Sequence, residues 1–280
     1  MDNIIITNSH EFERKKSKII TDGAPNLQVI ADFDKTLTPA YVNGKNITSL
    51  YAHLRDGDYL TEEYVKKAHE LHDKYRPYEI DPALSYEEKT KMMIEWWQTH
   101  LKILVKSGMN KKVIEDIIAK DKIKARISSL EMLDILHSLN IPTLIFSSGL
   151  GDLIEGFLKK QGRLYNNVHI ISNFYNYDKD GNVLGYKNHI IHSLNKKEIE
   201  LKETPYYEEA KQRKNVLLLG DSLDDIHMSE GIPHDTIIRV AFMNKDTEKH
   251  IEEFKKCYDV LLLNDCSMDF VVDFLKGIKG

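Results

Sequence analysis

The sequence predicts an α/β protein: a three-layer α/β/α core on a mostly parallel sheet, with a helical cap inserted into it. Three observations carry this. Four short, mainly apolar runs, Val29–Phe33, Thr143–Phe146, Val216–Leu219 and Val260–Leu263, read as strands of a parallel sheet. Helical patterns separate most of them, as a sheet covered on both faces requires. Between Ala40 and about Lys124 the chain reads as roughly eighty residues of helix, too many for a crossover between neighbouring strands. The expected division is residues 1–40 as the first part of the core, 41–124 as the helical cap and 125–280 as the second part.

Taken in order, the first strand ends in acids, and the cap follows. Thr61 is placed to cap a charged, amphipathic helix over Thr61–Tyr75. Ser85-x-x-Glu88 fits a capping box, opening a helix through Met92, Met93, Trp96 and Trp97 towards Val105. Asn110–Lys120 is a third helical candidate, and Arg126–Leu139 a helix leading into the second strand. Asp178-Lys179-Asp180-Gly181 is a turn signal between Phe174–Tyr177 and Val183–Tyr186, which predicts a hairpin.

Composition bounds the function. With 280 residues, 41% of them hydrophobic, the chain can bury a sizeable core, and a net charge of −5 offers no footprint for a nucleic-acid polymer. Two cysteines, Cys257 and Cys266, and no C-x-x-C argue against a disulfide framework or structural zinc and suit a reducing compartment. The start of the chain has only Ile4-Ile5-Ile6 before many charges, so neither a secretory signal nor a membrane span is expected. The expected location is therefore cytoplasmic. Asn46-Ile47-Thr48 matches a glycosylation sequon and is read as accidental.

The chemistry lies at strand ends. Val29-Ile30-Ala31-Asp32-Phe33-Asp34-Lys35-Thr36 ends a buried run in two acids spaced by one residue, which project to one side of an extended chain. Carboxylates so close repel unless a cation sits between them or one keeps a proton. One economical reading makes Asp32 a nucleophile beside Mg²⁺ and Asp34 its proton shuttle. Phe146-Ser147-Ser148-Gly149-Leu150-Gly151-Asp152 follows a strand and opens a helix, where a hydroxyl and free N–H groups suit a phosphate oxygen. By itself Ser-Gly after a strand is an ordinary turn. Leu218-Leu219-Gly220-Asp221-Ser222-Leu223-Asp224-Asp225 ends a third strand in acids. Asp221 can complete an oxygen-rich Mg²⁺ site with Asp32, with Asp225 and Asp224 supporting it from the following turn. Lys196 is the candidate cation for a phosphoryl group, although most lysines are solvated surface charges.

The order D-x-D-x-T, Ser, Lys, then G-D-x-x-x-D resembles the haloacid dehalogenase superfamily of phosphatases, which implies a Rossmann-like core. Further motifs match more closely: Tyr78-Glu79-Ile80-Asp81-Pro82, Glu87-Glu88-Lys89, Ile94-Glu95-Trp96-Trp97, Ser172-Asn173-Phe174, and Ile191-His192 with Asn195-Lys196. Together they resemble the cytosolic 5′-nucleotidase III family, which includes pyrimidine and 7-methylguanosine-phosphate nucleotidases. The resemblance is collinear over about Ala24 to Leu275. It implies Asp32 as nucleophile and Asp34 as general acid/base. It implies Mg²⁺ held by Asp32, the Asp34 carbonyl and Asp221. Ser147, the backbone at Ser148 and Lys196 would hold phosphate, Glu79 would bind the nucleobase, and Trp97 would be an aromatic wall, with Trp96 the core member of the pair. Ser148 and Asp224 stand where the family usually has alanine and glycine, and Thr99-His100 where it has Lys-Ser.

The expected protein is a Mg²⁺-dependent 5′-nucleotidase that hydrolyses CMP, UMP or 7-methyl-GMP through an aspartyl-phosphate. Transfer to a nucleoside acceptor is a side reaction of the same intermediate. Its partner is a small nucleotide, with no nucleic-acid polymer and no membrane, and a monomer is favoured. The alternatives are a phosphatase for another small phosphomonoester, such as a phosphosugar, and a catalytically silent nucleotide-binding protein on the same fold.

Overall fold

Residues 3–47, 49–81, 83–197, 201–202, 204–245 and 247–280 are described by a computed structural model. Thr48 of the sequon and Pro82 of the Glu79 motif lie outside them. The chain opens with β1 (Ile4–Ile6), α1 (Ser9–Asp22) and β2 (Leu27–Ala31). A short β3–β4 ladder (Tyr41–Val42, Lys45–Asn46) leads to four helices, α2 (Leu50–Arg55), α3 (Glu62–Ile80), α4 (Tyr86–Lys106) and α5 (Lys111–Ala119). Then come α6 (Ser129–Ser138), β5 (Thr143–Leu150), α7 (Gly151–Lys160), β6 (Val168–Asn173), and the hairpin β7 (Tyr175–Tyr177) with β8 (Val183–Tyr186). The chain closes with α8 (Pro205–Ala210), β9 (Asn215–Gly220), β10 (Thr236–Met243), α9 (Thr247–Cys257), β11 (Val260–Leu263) and α10 (Asp269–Lys276).

The central sheet runs β1-β11-β10-β9-β2-β5-β6, parallel throughout except for the edge strand β1. All residues of β2 and β9 are buried, which accounts for their unbroken apolar runs. Alternation along the strands divides the core in two. Val29, Ala31, Leu217, Leu219 and Val260 pack with α1, α6, α7 and α10, whereas Ile30, Leu144, Leu218 and Leu261 pack with α8 and α9. This is the three-layer, mostly parallel arrangement that the apolar runs predict.

Three strands of the central sheet, and the short β3–β4 ladder, are not among those expected. β6 carries His169, Ser172 and Asn173, β10 carries Arg239, and β1 is only three residues long, so none reads as a plain apolar run. The expected strand Val29–Phe33 stops at Ala31, and the expected helix Arg126–Leu139 starts at Ser129 after Ser128 takes a left-handed φ of 66°. The predicted caps on α3 and α4 form as read. Thr61 accepts from Tyr64 N–H at 3.2 Å, and Ser85 and Glu88 close a reciprocal capping box. Asn110 caps α5 by accepting from Lys112 N–H at 3.0 Å. Gly181 (φ +83°) turns the hairpin.

Candidate active site

Asp32 and Asp34 follow the buried run as expected, but the strand itself ends before them, at Ala31. Asp32 still donates its N–H to Leu219 O at 3.0 Å, in line with the sheet, but the chain then leaves the strand. Lys35 takes φ 60°, in the left-handed region, and its N–H donates to Thr38 Oγ1 at 2.9 Å. The buried guanidinium of Arg126 holds this loop. Its Nε donates to Thr36 O (2.7 Å), its Nη2 to Lys35 O (2.5 Å) and Thr38 O (3.1 Å), and its Nη1 to Asp265 Oδ1 (2.9 Å) and Cys266 O (2.6 Å). The two carboxylates have different hydrogen-bond partners. Asp34 accepts Leu50 N–H through both oxygens at 3.1 Å, and burial pushes its carboxyl up to about 6 against that hydrogen bond.

Asp32 instead accepts from Lys196 Nζ at 2.6 Å, and Lys196 also donates to Asp225 Oδ1 at 2.9 Å. Lys196 is buried, contrary to the ordinary expectation for a lysine. Burial works against its charge, but Asp225 and Asp32 outweigh that and hold its ammonium above the usual range. Burial raises the Asp32 carboxyl; Lys196 opposes the rise, while Asp225 and Asp221 add to it. Asp221 is pushed up to about 7, mainly by burial and then by Asp225. Asp225 is more than a distant support: its Oδ2 accepts the N–H groups of Asp221 and Ser222, both at 3.1 Å. Gly220 permits this, because a Cβ there would lie 2.5 Å from Asp225 Cβ.

Asp32, Asp221 and Asp225 each offer an oxygen within 4.8 Å of the others. Three carboxylates against one lysine leave an excess of negative charge, and all the donors are hard oxygens. That set fits a divalent cation such as Mg²⁺ and offers nothing to a soft metal. The Asp34 carboxylate, engaged by Leu50, is not in the trio.

The Phe146–Asp152 motif ends a strand and opens a helix as expected, but Ser147 itself lies on the strand, which runs farther than Phe146 through a bulge. β5 runs through Leu150, its pairing with β6 shifts register between Phe146 and Leu150, and α7 begins at Gly151. Buried Ser147 accepts from Gly149 N–H at 3.0 Å. A Cβ at Gly149 would lie 3.1 Å from Ser147 Oγ and 3.3 Å from Asp34 Oδ2, so this glycine lets the backbone close on the Asp34 carboxylate. Ser148 O accepts Asn173 Nδ2 at 2.9 Å, and Asn173 also bonds both backbone groups of Ile191, each at 2.8 Å. Asn173 thereby ties the Ser147 strand end to the segment that carries Lys196.

A cavity of about 520 Å³ opens beside these groups, lined by Asp34, Ser148 and Gly149 on the sheet side and by Glu79, Trp97 and His100 on the helical side. Glu79, at the end of α3, is largely covered and accepts Ser193 Oγ at 2.9 Å and Arg76 Nη1. Trp97 leans on Tyr51 with ring centroids 4.8 Å apart. Trp96 packs against the cluster that holds buried Met93 and stacks on buried Tyr75 at 14°, as expected of the core member of the pair, and it lines the cavity as well. Arg126, Ser193 and Arg76 join the site without a functional role read from sequence, and Asn173, part of a motif that carries the resemblance, had no role assigned to it. Arg76 carries one local signal, its spacing of three from Glu79 on one helix.

A parallel α/β sheet with acids gathered at the strand ends and an adjoining helical wall defines a hydrolase of the haloacid dehalogenase fold. The pyrimidine 5′-nucleotidase (UMPH-1) family model matches residues 35–279, and the chain belongs to that family of 5′-nucleotidases. It is 32% identical over 280 residues to the Xenopus laevis 7-methylguanosine phosphate-specific 5′-nucleotidase A, covering 100% of this chain and 97% of that protein. The crystal structure of cytosolic 5′-nucleotidase IIIB bound to cytidine superposes with a TM-score of 0.88 at 29% identity, covering 99% of this chain and 94% of that one. A substrate-bound phosphoserine phosphatase shares the fold alone, with a TM-score of 0.54 at 15% identity over 91% of this chain and 98% of its own.

Proposed function

We propose that the protein hydrolyses nucleoside 5′-monophosphates, CMP and UMP together with 7-methyl-GMP, to nucleoside and phosphate in the cytoplasm. The observation that carries this reading is the convergence of Asp32, Lys196, Asp221 and Asp225 at the strand ends that also bear Asp34 and Ser148, which line one cavity with Glu79 and Trp97. The name of the Xenopus relative and the cytidine bound to the structural one support both base classes, and the word cytosolic in the latter's name supports the location. Among the described residues, no helix is long and apolar enough to cross a membrane.

In this reading Asp32 attacks phosphorus, a bond forms between its carboxylate oxygen and the phosphoryl group, and the bond to the 5′-oxygen breaks. Asp34 gives the departing 5′-oxygen its proton, then takes one from the water that hydrolyses the aspartyl-phosphate. Lys196, Ser147 Oγ and the backbone at Ser148 receive the phosphoryl oxygens. Asp32, Asp221 and Asp225 would hold Mg²⁺, with the Asp34 carbonyl as a further donor; when bound, it supplies positive charge for those oxygens. Glu79 accepts from the base and Trp97 stacks on it. Residues 41–124 act as the cap that excludes bulk water. The test is phosphate release across CMP, UMP, 7-methyl-GMP, AMP, GMP and a phosphosugar. Turnover of CMP and 7-methyl-GMP, with AMP and GMP poor, is expected. Preference for the phosphosugar would refute the reading.

A further inference from the structure

Arg76 and Glu79 stand three residues apart near the end of α3, so their side chains share one face of the helix. Both line the cavity, and the Arg76 guanidinium donates to Glu79 Oε2. The remaining oxygen, Oε1, accepts Ser193 Oγ at 2.9 Å. The Glu79 side chain is 16% exposed whereas that of Arg76 is 50% exposed, so Arg76 is the more solvated partner at the cavity surface. The carboxylate that meets a base is therefore half of a neutral pair. Arg76 also adds donors to the acceptor that Glu79 presents, and a base with a donor beside an acceptor, such as cytosine, can satisfy both.

We infer that Arg76 is a specificity-determining residue that favours a neutral pyrimidine over a cationic, N7-methylated purine. This rests on the reading of Glu79 as the base acceptor. N7-methylation places positive charge on the purine. A bare carboxylate would attract that charge, and Arg76 cancels the attraction.

The test is kcat/KM for 7-methyl-GMP and CMP at mildly acidic pH, where the methylated base keeps its N1–H. Arg76→Gln should raise the ratio of 7-methyl-GMP to CMP by about 5-fold, the size of a unit charge acting across roughly 6 Å at a half-solvated site. Arg76→Lys, which keeps the charge, should hold the ratio within roughly twofold of wild type. The gain in Arg76→Gln should shrink at high salt, which a packing defect would not do. CMP turnover by wild type with an unchanged or lower ratio in Arg76→Gln would overturn the inference and leave the nucleotidase reading standing. Hydrolysis of neither nucleotide by wild type would overturn that reading and the inference with it.

Discussion

At the scale of single residues, Arg126 shows what sequence spacing cannot convey. It opens a stretch that reads as helix, yet its guanidinium turns inward and holds three backbone carbonyls of the loop carrying Asp34, with Asp265 as its counter-charge. No local pattern marks a residue whose partners are about 90 and 139 positions away. Arg126→Met should leave those carbonyls and Asp265 uncompensated and cost about 3–5 kcal/mol of stability, read as a lower urea midpoint. A change below about 1 kcal/mol would mean that water takes over its role. Gly149→Ala belongs to the same scale. The contacts of 3.1–3.3 Å that its Cβ would make, with Asp34 Oδ2 among them, predict a larger loss in kcat than in stability. Equal kcat in the two proteins would show that the strand end yields without disturbing Asp34. Asp32, Asp34, Ser147 and Asp221 were legible because strand-end acids and hydroxyls are local signals. The dual role of Asp225, bonded to Lys196 and to two backbone N–H groups, depends on a turn that only the folded chain defines.

At the scale of elements, caps and buried strands were read correctly because their signals lie within a few residues. Strand ends and register were not. β5 continues four residues beyond the expected Phe146, through a bulge set by its pairing with β6, a partner that the sequence pattern had not revealed. In the α3–α4 pair, Tyr64 and His100 are both buried and share a hydrogen bond of 3.1 Å. Burial lowers the His100 imidazole from 6.5 to about 4. The unfolded chain then binds a proton that the folded chain refuses. The stability from neutral His100 is thus fully present above its ordinary value and is lost as pH falls towards 4, by about 3 kcal/mol over that window. His192, also lowered to about 4 by burial, acts in the same direction. Urea unfolding of His100→Gln should show a flatter pH profile than wild type between those limits. Parallel profiles would assign the acid sensitivity elsewhere.

At the scale of the whole molecule, one parallel sheet gathers the Asp32, Ser147 and Asp221 segments at its carboxyl edge, while a long helical stretch supplies the other wall of the cavity. The buried strands β2, β5, β9 and β11 were legible as apolar runs, and the helices α3 and α4 through their capping signals. How closely the two parts engage was not legible: α5, within the proposed cap, packs against α7, and Lys160 of α7 donates to Ile118 O at 2.7 Å. Three carboxylates around one lysine also make a prediction for the intact enzyme. EDTA should abolish phosphate release and Mg²⁺ should restore it, whereas full activity in metal-free buffer would refute the proposed role of the acidic trio. The central claim is that Asp32 is the nucleophile of a nucleotidase. Its most direct test is kcat for CMP in Asp32→Asn, with circular dichroism to confirm the fold. The account predicts a folded protein whose kcat falls by about 10⁴-fold, and retention of a substantial fraction of wild-type kcat would contradict it.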